Sequence, residues 1–154
     1  MQTATPFIWY QTDLGGALAR YAAVIPGFRK LAWHPVGPDG AAGSVARFAI
    51  LDREFMALQA PSDFVLNESF SIQLLCDDQA EVDRCWDGLI ADGGEPGRCG
   101  WLKDAWGLSW QVVPTRLVEL QADPDPAAAG RVHAAMMGMS KLVVADLEAA
   151  RAGG

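Results

Sequence analysis

Histidine is scarce in this chain, with only His34 and His133 among 154 residues, and basic side chains are outnumbered, 12 against 19 acidic ones. Neither histidine has Cys, Ser or carboxylate partners at a spacing that marks a metal cluster or a nucleophilic triad, so each reads as a structural or surface residue. A formal charge of -7 without a Lys/Arg cluster provides no surface for tracking phosphates, and nucleic acid is not expected as a partner. The three cysteines, Cys76, Cys85 and Cys99, form no even set and no CxxC pair. That usage fits a reducing, cytoplasmic setting. Cys76 and Cys85 stand in apolar contexts and read as buried. Cys99, beside Arg98, reads as structural or as a site where a thiolate is favoured. Apolar runs are too short for a membrane span, which needs about 18 residues. The opening MQTATPFIWYQTD lacks the basic and apolar regions of a signal peptide, so neither export nor membrane insertion is expected.

What the chain does have is enough apolar material, 51%, to close a core without disulfides or metal. Pro6 to Gln11 is aromatic and β-branched, as a strand requires. Asp13 then opens a helix with Leu14, Leu18, Tyr21, Ala22 and Ile25 on one face, stopped by Pro26-Gly27. Three strand-like runs follow, Arg29–Val36, Ser44–Leu51 and Glu54–Ala60, separated by Gly/Pro clusters and by Asp52-Arg53. After a loop over Ala60–Glu68 the order repeats. Ser69–Cys76 reads as a strand, and Asp78-Gln79-Ala80-Glu81 as a capping box. The helix it opens buries Val82, Cys85, Trp86, Leu89 and Ile90 and ends at Gly93-Gly94. Short strands follow at Glu95–Arg98, Gly100–Lys103 and Leu108–Val113, with Asp104-Ala105-Trp106-Gly107 as the last hairpin turn. The two halves share one architecture, offset by about 65 residues. Beyond Pro114 the chain turns helical: Thr115–Gln121, then a run capped by Asp123-Pro124-Asp125-Pro126 through Met139. A last helix begins at Ser140 or Asp146 and carries Leu142, Val143 and Leu147, for which a second subunit is one source of a covering surface. The expected class is therefore α+β, a single domain over 1–154 with paired βαβββ units at 5–60 and 69–114 and a helical tail at 115–154.

Several segments carry a family resemblance: Trp9-Tyr10, Glu54-Phe55-Met56-Ala57-Leu58, Asn67-Glu68-Ser69-Phe70-Ser71-Ile72-Gln73, and above all the run from Gly100-Trp101-Leu102-Lys103 through Trp110-Gln111-Val112-Val113-Pro114. The chain resembles the PhnB-like branch of the glyoxalase/bleomycin-resistance/extradiol dioxygenase (vicinal oxygen chelate) superfamily, and the resemblance extends into the Asp123-Pro124-Asp125-Pro126 segment and the alanine-rich helix. It implies paired βαβββ units, a homodimer and ligand pockets inside curved sheets. The branch also carries the label demethylubiquinone methyltransferase-like. No Gly-rich strand-to-helix turn supports a nucleotide-like methyl donor, since Gly15-Gly16 and Gly93-Gly94 lack that pattern.

Enzymatic members of the superfamily set His or Glu metal ligands on four strands. The corresponding positions here fall near Pro6 or Ile8, at Gln59, at Ser71 and at Gln111, which are weak ligands for a divalent ion. No metal and no cofactor are expected. Period-two alternation places Ser69, Ser71 and Gln73 on one face of their strand, and Ser109 and Gln111 on one face of theirs. Gln59, Ser71, Gln73, Ser109 and Gln111 therefore read either as a polar lining for a ligand or as a closed hydrogen-bond network. Trp9, Trp33, Trp101, Trp106 and Trp110 either fill the sheets or wall a pocket, with Trp9 and Trp101 the ligand-binding candidates, while Trp86 is core by helical spacing. Glu68 is the one carboxylate that leads directly into a strand mouth, as an acid or base or as a partner for loop backbone.

Three functions follow from these readings. The first is a metal-independent protein that binds an unidentified small molecule. The second is a glyoxalase- or dioxygenase-type enzyme with unusual ligands, requiring Glu68 and His34 to converge. The third is a dimeric interaction or regulatory protein whose apolar Met136, Met137, Met139, Leu142 and Val143 run mediates contacts.

Overall fold

The computed structural model describes residues 2–153, which divide into two compact units, 2–67 and 68–153. The first unit runs β1 (Phe7–Tyr10), α1 (Leu14–Val24), β2 (Phe28–Val36), β3 (Gly43–Ile50) and β4 (Arg53–Gln59). Its sheet has the order β1-β4-β3-β2, with β1 parallel to β4 and the other pairs antiparallel. Asp13 caps α1, its carboxylate accepting from the Gly16 N–H at 3.0 Å, and leaves fewer helix-terminal donors unpaired. The buried face of α1 is Leu14, Ala17, Leu18, Tyr21 and Val24. Ala22, expected on that face, is exposed, because a stripe centred between Leu14 and Tyr21 reaches Val24 on one flank before it reaches position 22 on the other. Under the helix lie Ile8, Tyr10, Ala46, Phe48, Phe55 and Ala57, all buried. Phe48 stacks on Phe28 and Phe55 at 5.7 and 5.4 Å, and the Tyr10 and Tyr21 hydroxyls meet at 3.1 Å.

Two backbone features in this unit redirect side chains. A register shift between Lys30 and Ala32 interrupts the pairing of β2, so Lys30 and Trp33 reach the same, helix-packed side. Gly43 sits at φ 122, and a Cβ there would lie 1.8 Å from the Gln59 carbonyl oxygen. Only glycine allows β3 to start against the end of β4.

The second unit repeats the order: β5 (Ser71–Cys76), α2 (Gln79–Ile90), β6 (Glu95–Pro96), β7 (Trp101–Lys103) and β8 (Ser109–Pro114). Its sheet order, β5-β8-β7-β6, matches the first, and again the first strand lies parallel to the last. Asp78 accepts from the Glu81 N–H at 2.8 Å. Glu81 returns the bond one residue earlier than a capping box expects, accepting from the Asp77 N–H at 2.8 Å. Val82, Cys85, Trp86 and Leu89 form the buried face of α2, and Ile90 is half-buried. The buried Cys76 thiol, hydrogen-bonded to Cys85 across this contact, is pushed up from its ordinary pKa. The left-handed exit from α2 is taken by Asp92 as well as Gly93. Gly94 has a different duty: a Cβ there would come within 2.7 Å of the Lys103 carbonyl oxygen.

The tail forms α3 (Thr115–Gln121), α4 (Pro126–Met137) and α5 (Val144–Ala152). Asp125 caps α4 by accepting from Ala127 N–H at 3.0 Å. The last helix starts at Val144 rather than at Ser140 or Asp146, because the Gln79 side chain holds the preceding segment extended: it donates to the Leu142 carbonyl at 3.1 Å and accepts from Val144 N–H at 2.7 Å. Leu142 and Leu147 are buried with Val113, Leu117, Leu120 and Val132, so their covering surface comes from the chain's own helices. Among the described residues no helix is long and apolar enough to cross a membrane.

The β7–β8 turn hides one carboxylate that alternation does not reveal. Asp104 is 3% exposed and accepts from Trp106 N–H and Leu108 N–H at 3.0 Å each and from Trp110 Nε1 at 2.9 Å. An Asp104→Ala variant strands these donors, so urea unfolding is expected to show a loss of about 3 kcal/mol, whereas Ala105→Ser in the same exposed turn leaves the midpoint unchanged.

Candidate functional site

Each sheet of four strands packs one helix, α1 or α2, on one side, and alternation assigns each strand residue to that side or the other, where in the second unit the tail helices cover Val113. In the second unit the pairs Ile72↔Trp110 and Leu102↔Trp110 are buried on the side of α2. The residues between them share the other side. Ser71 pairs with Ser109, Ser109 with Lys103, and Lys103 with Glu95, so one row crosses all four strands as Ser71, Ser109, Lys103, Glu95. Beside it lies a second row, Gln73, Gln111 and Trp101.

These rows are partly a closed network. Gln111 Nε2 donates to Ser71 Oγ at 2.9 Å and Gln73 reaches Gln111 Oε1 at 3.4 Å. Ser109 differs: it is 1% exposed, and its Oγ has no hydrogen-bond partner among the described residues. A buried hydroxyl left unpaired costs about 1 to 3 kcal/mol. It borders a cleft of about 130 Å3 whose walls include Trp101, Lys103, Glu95 and Glu68. At the rim Lys103 Nζ lies 2.6 Å from Glu68 Oε1. The hydrogen bond from Lys103 holds the Glu68 carboxyl below the ordinary 4.5, and the same bond holds the Lys103 ammonium above 10.5.

Of the residues singled out in the sequence, Ser71, Gln73, Trp101, Ser109 and Gln111 thus come together on one open face, and Glu68 joins them through Lys103. Trp9 and Gln59 belong to the first unit and serve local contacts. Trp9 Nε1 donates to the Ala60 carbonyl at 2.8 Å, and its ring meets Phe64 edge-on at 5.3 Å. Gln59 shares the strand face of Phe55 and Ala57, and its Oε1 accepts from Leu14 N–H at 2.8 Å. It caps α1 instead of facing the open side. Lys103 and Glu95 went unmarked in the sequence; their signal is cross-strand register, which appears only once β6, β7 and β8 are aligned.

Trp110 is fully buried and Trp86 4% exposed, both core. Trp106 lies half-buried in the β7–β8 turn. Trp33 borders a second cleft, of about 150 Å3, with Leu18, Phe28 and Lys30. The Lys30 ammonium stands 5.9 Å over its ring. No buried polar atom lacking a partner borders that cleft. His34 and His133 are exposed on β2 and α4. Among the described residues no group of three or more His, Cys, Asp or Glu could hold a metal ion. Cys99 is half-buried, with its Sγ 3.6 Å from Met137 Sδ.

Comparison with known proteins gives a consistent picture. A family model described as 3-demethylubiquinone-9 3-methyltransferase matches residues 2–113. It ends within β8, before the helical tail into which the resemblance was expected to extend. A Bacillus cereus PhnB protein described as a putative 3-demethylubiquinone-9 3-methyltransferase is 21% identical, with TM-score 0.66, over 73% of this chain and 99% of that one. The fosfomycin resistance protein FosX from Mesorhizobium loti is 16% identical, with TM-score 0.53, over 71% and 87%. FosX from Listeria monocytogenes, solved with Mn(II) and sulfate, is 14% identical, with TM-score 0.53, over 71% and 89%. No curated protein matches the chain.

Neither group implied by these relatives fits the residues here. None of the residues at the expected ligand positions is a strong ligand for a divalent ion: Gln59 is turned to the α1 N-terminus in the first unit, and in the second the neutral oxygens of Ser71 and Gln111 already accept hydrogen bonds. A nucleotide-like methyl donor would need a Gly-rich strand-to-helix turn. Instead α1 and α2 open on Asp13 and Asp78, whose carboxylates occupy the helix N-termini.

The rim ion pair has a defined pH window. Glu68, depressed in the folded state, contributes above its ordinary pKa and loses that contribution as pH falls through the folded value. Lys103, raised, contributes up to its ordinary pKa and loses it as pH rises through the folded one. Carboxyl-carbon NMR of Glu68 is expected to give a midpoint below 4.5 that moves up in Lys103→Met; an unmoved midpoint contradicts the pairing.

Proposed function

The chain belongs to the 3-demethylubiquinone-9 3-methyltransferase family, the PhnB-like branch of the glyoxalase/bleomycin-resistance superfamily, and we propose that it is a metal-independent small-molecule-binding protein on that scaffold. Its site in this reading is the open face of the second sheet. The single observation that supports it is Ser109: a hydroxyl 1% exposed, without a hydrogen-bond partner, at the edge of a cleft. Folded proteins pair almost all their buried polar groups, so one left over at the edge of a cleft calls for a partner, which a ligand can supply. Ser71, Gln73 and Gln111 beside it are the closed part of the network, and Trp101 offers the cleft an aromatic wall. The cleft is smaller than the roughly 300 to 1,000 Å3 of sites for drug-sized ligands, so it takes a small molecule or the end group of a larger one.

The enzymatic alternative rests on Glu68 with His34. Glu68 is engaged with Lys103 and held ionised, which leaves no proton for general-acid work near neutral pH. The binding reading needs no proton on Glu68 and no His34, which is exposed on β2.

Removing the unpaired hydroxyl separates stability from binding. Ser109→Ala is expected to leave the unliganded protein as stable or more stable by about 1 kcal/mol, while weakening any cleft ligand found in a thermal-shift screen by roughly tenfold. A variant that loses stability and keeps full affinity would show that the hydroxyl serves the fold and not a ligand.

A further inference from the structure

The charge around the cleft is unbalanced. Glu68 and Glu95 both border it, with Lys103 as the one cation among its lining residues. Lys103 gives its ion pair to Glu68 at 2.6 Å. Glu95 stands directly across from Lys103 in the β6–β7 register and makes no ion pair among the described residues. One carboxylate therefore remains in surplus beside an indole ring and a buried hydroxyl. Acidic residues by themselves define no site, but here the second observation is independent of charge. Ser109 Oγ is buried without a partner, in the same cross-strand row as Lys103 and Glu95.

Resting on the binding reading above, we infer that this cleft selects a small organic cation, a primary amine in its ammonium form or the aminoalkyl end of a larger molecule. The ammonium has three N–H donors and no acceptor. Glu95, Glu68 and Ser109 Oγ supply oxygens to accept them, and charge-assisted bonds to carboxylates are stronger than neutral ones. The Trp101 ring, which lines the cleft, adds an attractive surface for the cation and for its apolar stem. An anionic ligand meets the opposite balance. To reach Lys103 it must displace Glu68 from a short ion pair and then lie beside two carboxylates. Lys103 is thus a competitor for the ligand's place and not its anchor.

Three probes of one shape test this on the full chain: n-butylammonium, n-butanol and n-butyrate, titrated at pH 7 and followed by amide NMR shifts of Glu95, Trp101, Lys103 and Ser109. Butylammonium is expected to bind roughly tenfold or more tightly than butanol, with butyrate weaker still. Glu95→Gln and Glu68→Gln should each erode the preference for the amine over the alcohol. Lys103→Met should strengthen amine binding by roughly threefold or more, because it frees Glu68. Tighter binding of butyrate, abolished by Lys103→Met, would overturn the ligand class and leave the binding cleft standing. If none of the three moves the cleft amides, the binding reading itself falls, and this inference with it.

Discussion

A four-stranded sheet with a single helix can bury one face on that helix, and strand alternation then commits each residue to the covered or the open side. The rest of the structure depends on this division. In the second unit it sends Ile72, Leu102, Trp110 and Val112 into the core and leaves Ser71, Ser109, Lys103 and Glu95 in a line across four strands. A one-residue slip in β8 would exchange Trp110 for Ser109 beneath α2, setting a hydroxyl against the apolar face of α2 and turning the indole out of the core. The apolar demand of α2 thus fixes the register, and the register fixes which polar groups meet. The buried Asp104 reinforces it by joining the β7–β8 turn to the Trp110 indole.

Much of the architecture was legible because it is written in local chemistry. The strand, Asp cap, helix and Gly stop recur in both halves, and hydrophobic period together with caps, Gly/Pro breaks and turn residues located α1 through β8 within a few residues. Where the reading failed, a distant partner had overridden the local signal. The start of α5 is set by Gln79, in another helix, holding Leu142 and Val144. The exit from α2 uses Asp92 beyond its glycines, since the close approach of the Lys103 carbonyl claims Gly94. The bulge at Lys30 in β2 leaves no composition signal and still moves Trp33 to the helix side.

The site was legible by face but not by partner. Ser71, Gln73, Ser109 and Gln111 follow from alternation, yet sequence does not tell a closed amide network from an open hydroxyl. The structure separates them: Ser71 and Gln111 satisfy each other, and Ser109 alone of this group is left without a partner. Gln59 looked like a lining residue by its polarity and turned out to cap α1, because parity with Phe55 and Ala57 puts it on the covered side. Lys103 and Glu95, the charged members of the row, lie on strands of three and two residues, too short for alternation to reveal their face.

The fold is shared with a protein solved with Mn(II), while among the described residues of this chain no group of three or more His, Cys, Asp or Glu could hold a metal ion. Its distinguishing feature is then a polar row beside a small cleft, with Ser109 as the group that gains most from a guest. The most direct test is an amide NMR map of the labelled full chain against a library of small fragments. Binding at the second sheet predicts that the strongest perturbations gather on Glu95, Trp101, Lys103 and Ser109. Perturbations gathered on Lys30 and Trp33 in the other cleft, with the Ser109 row silent, would contradict it.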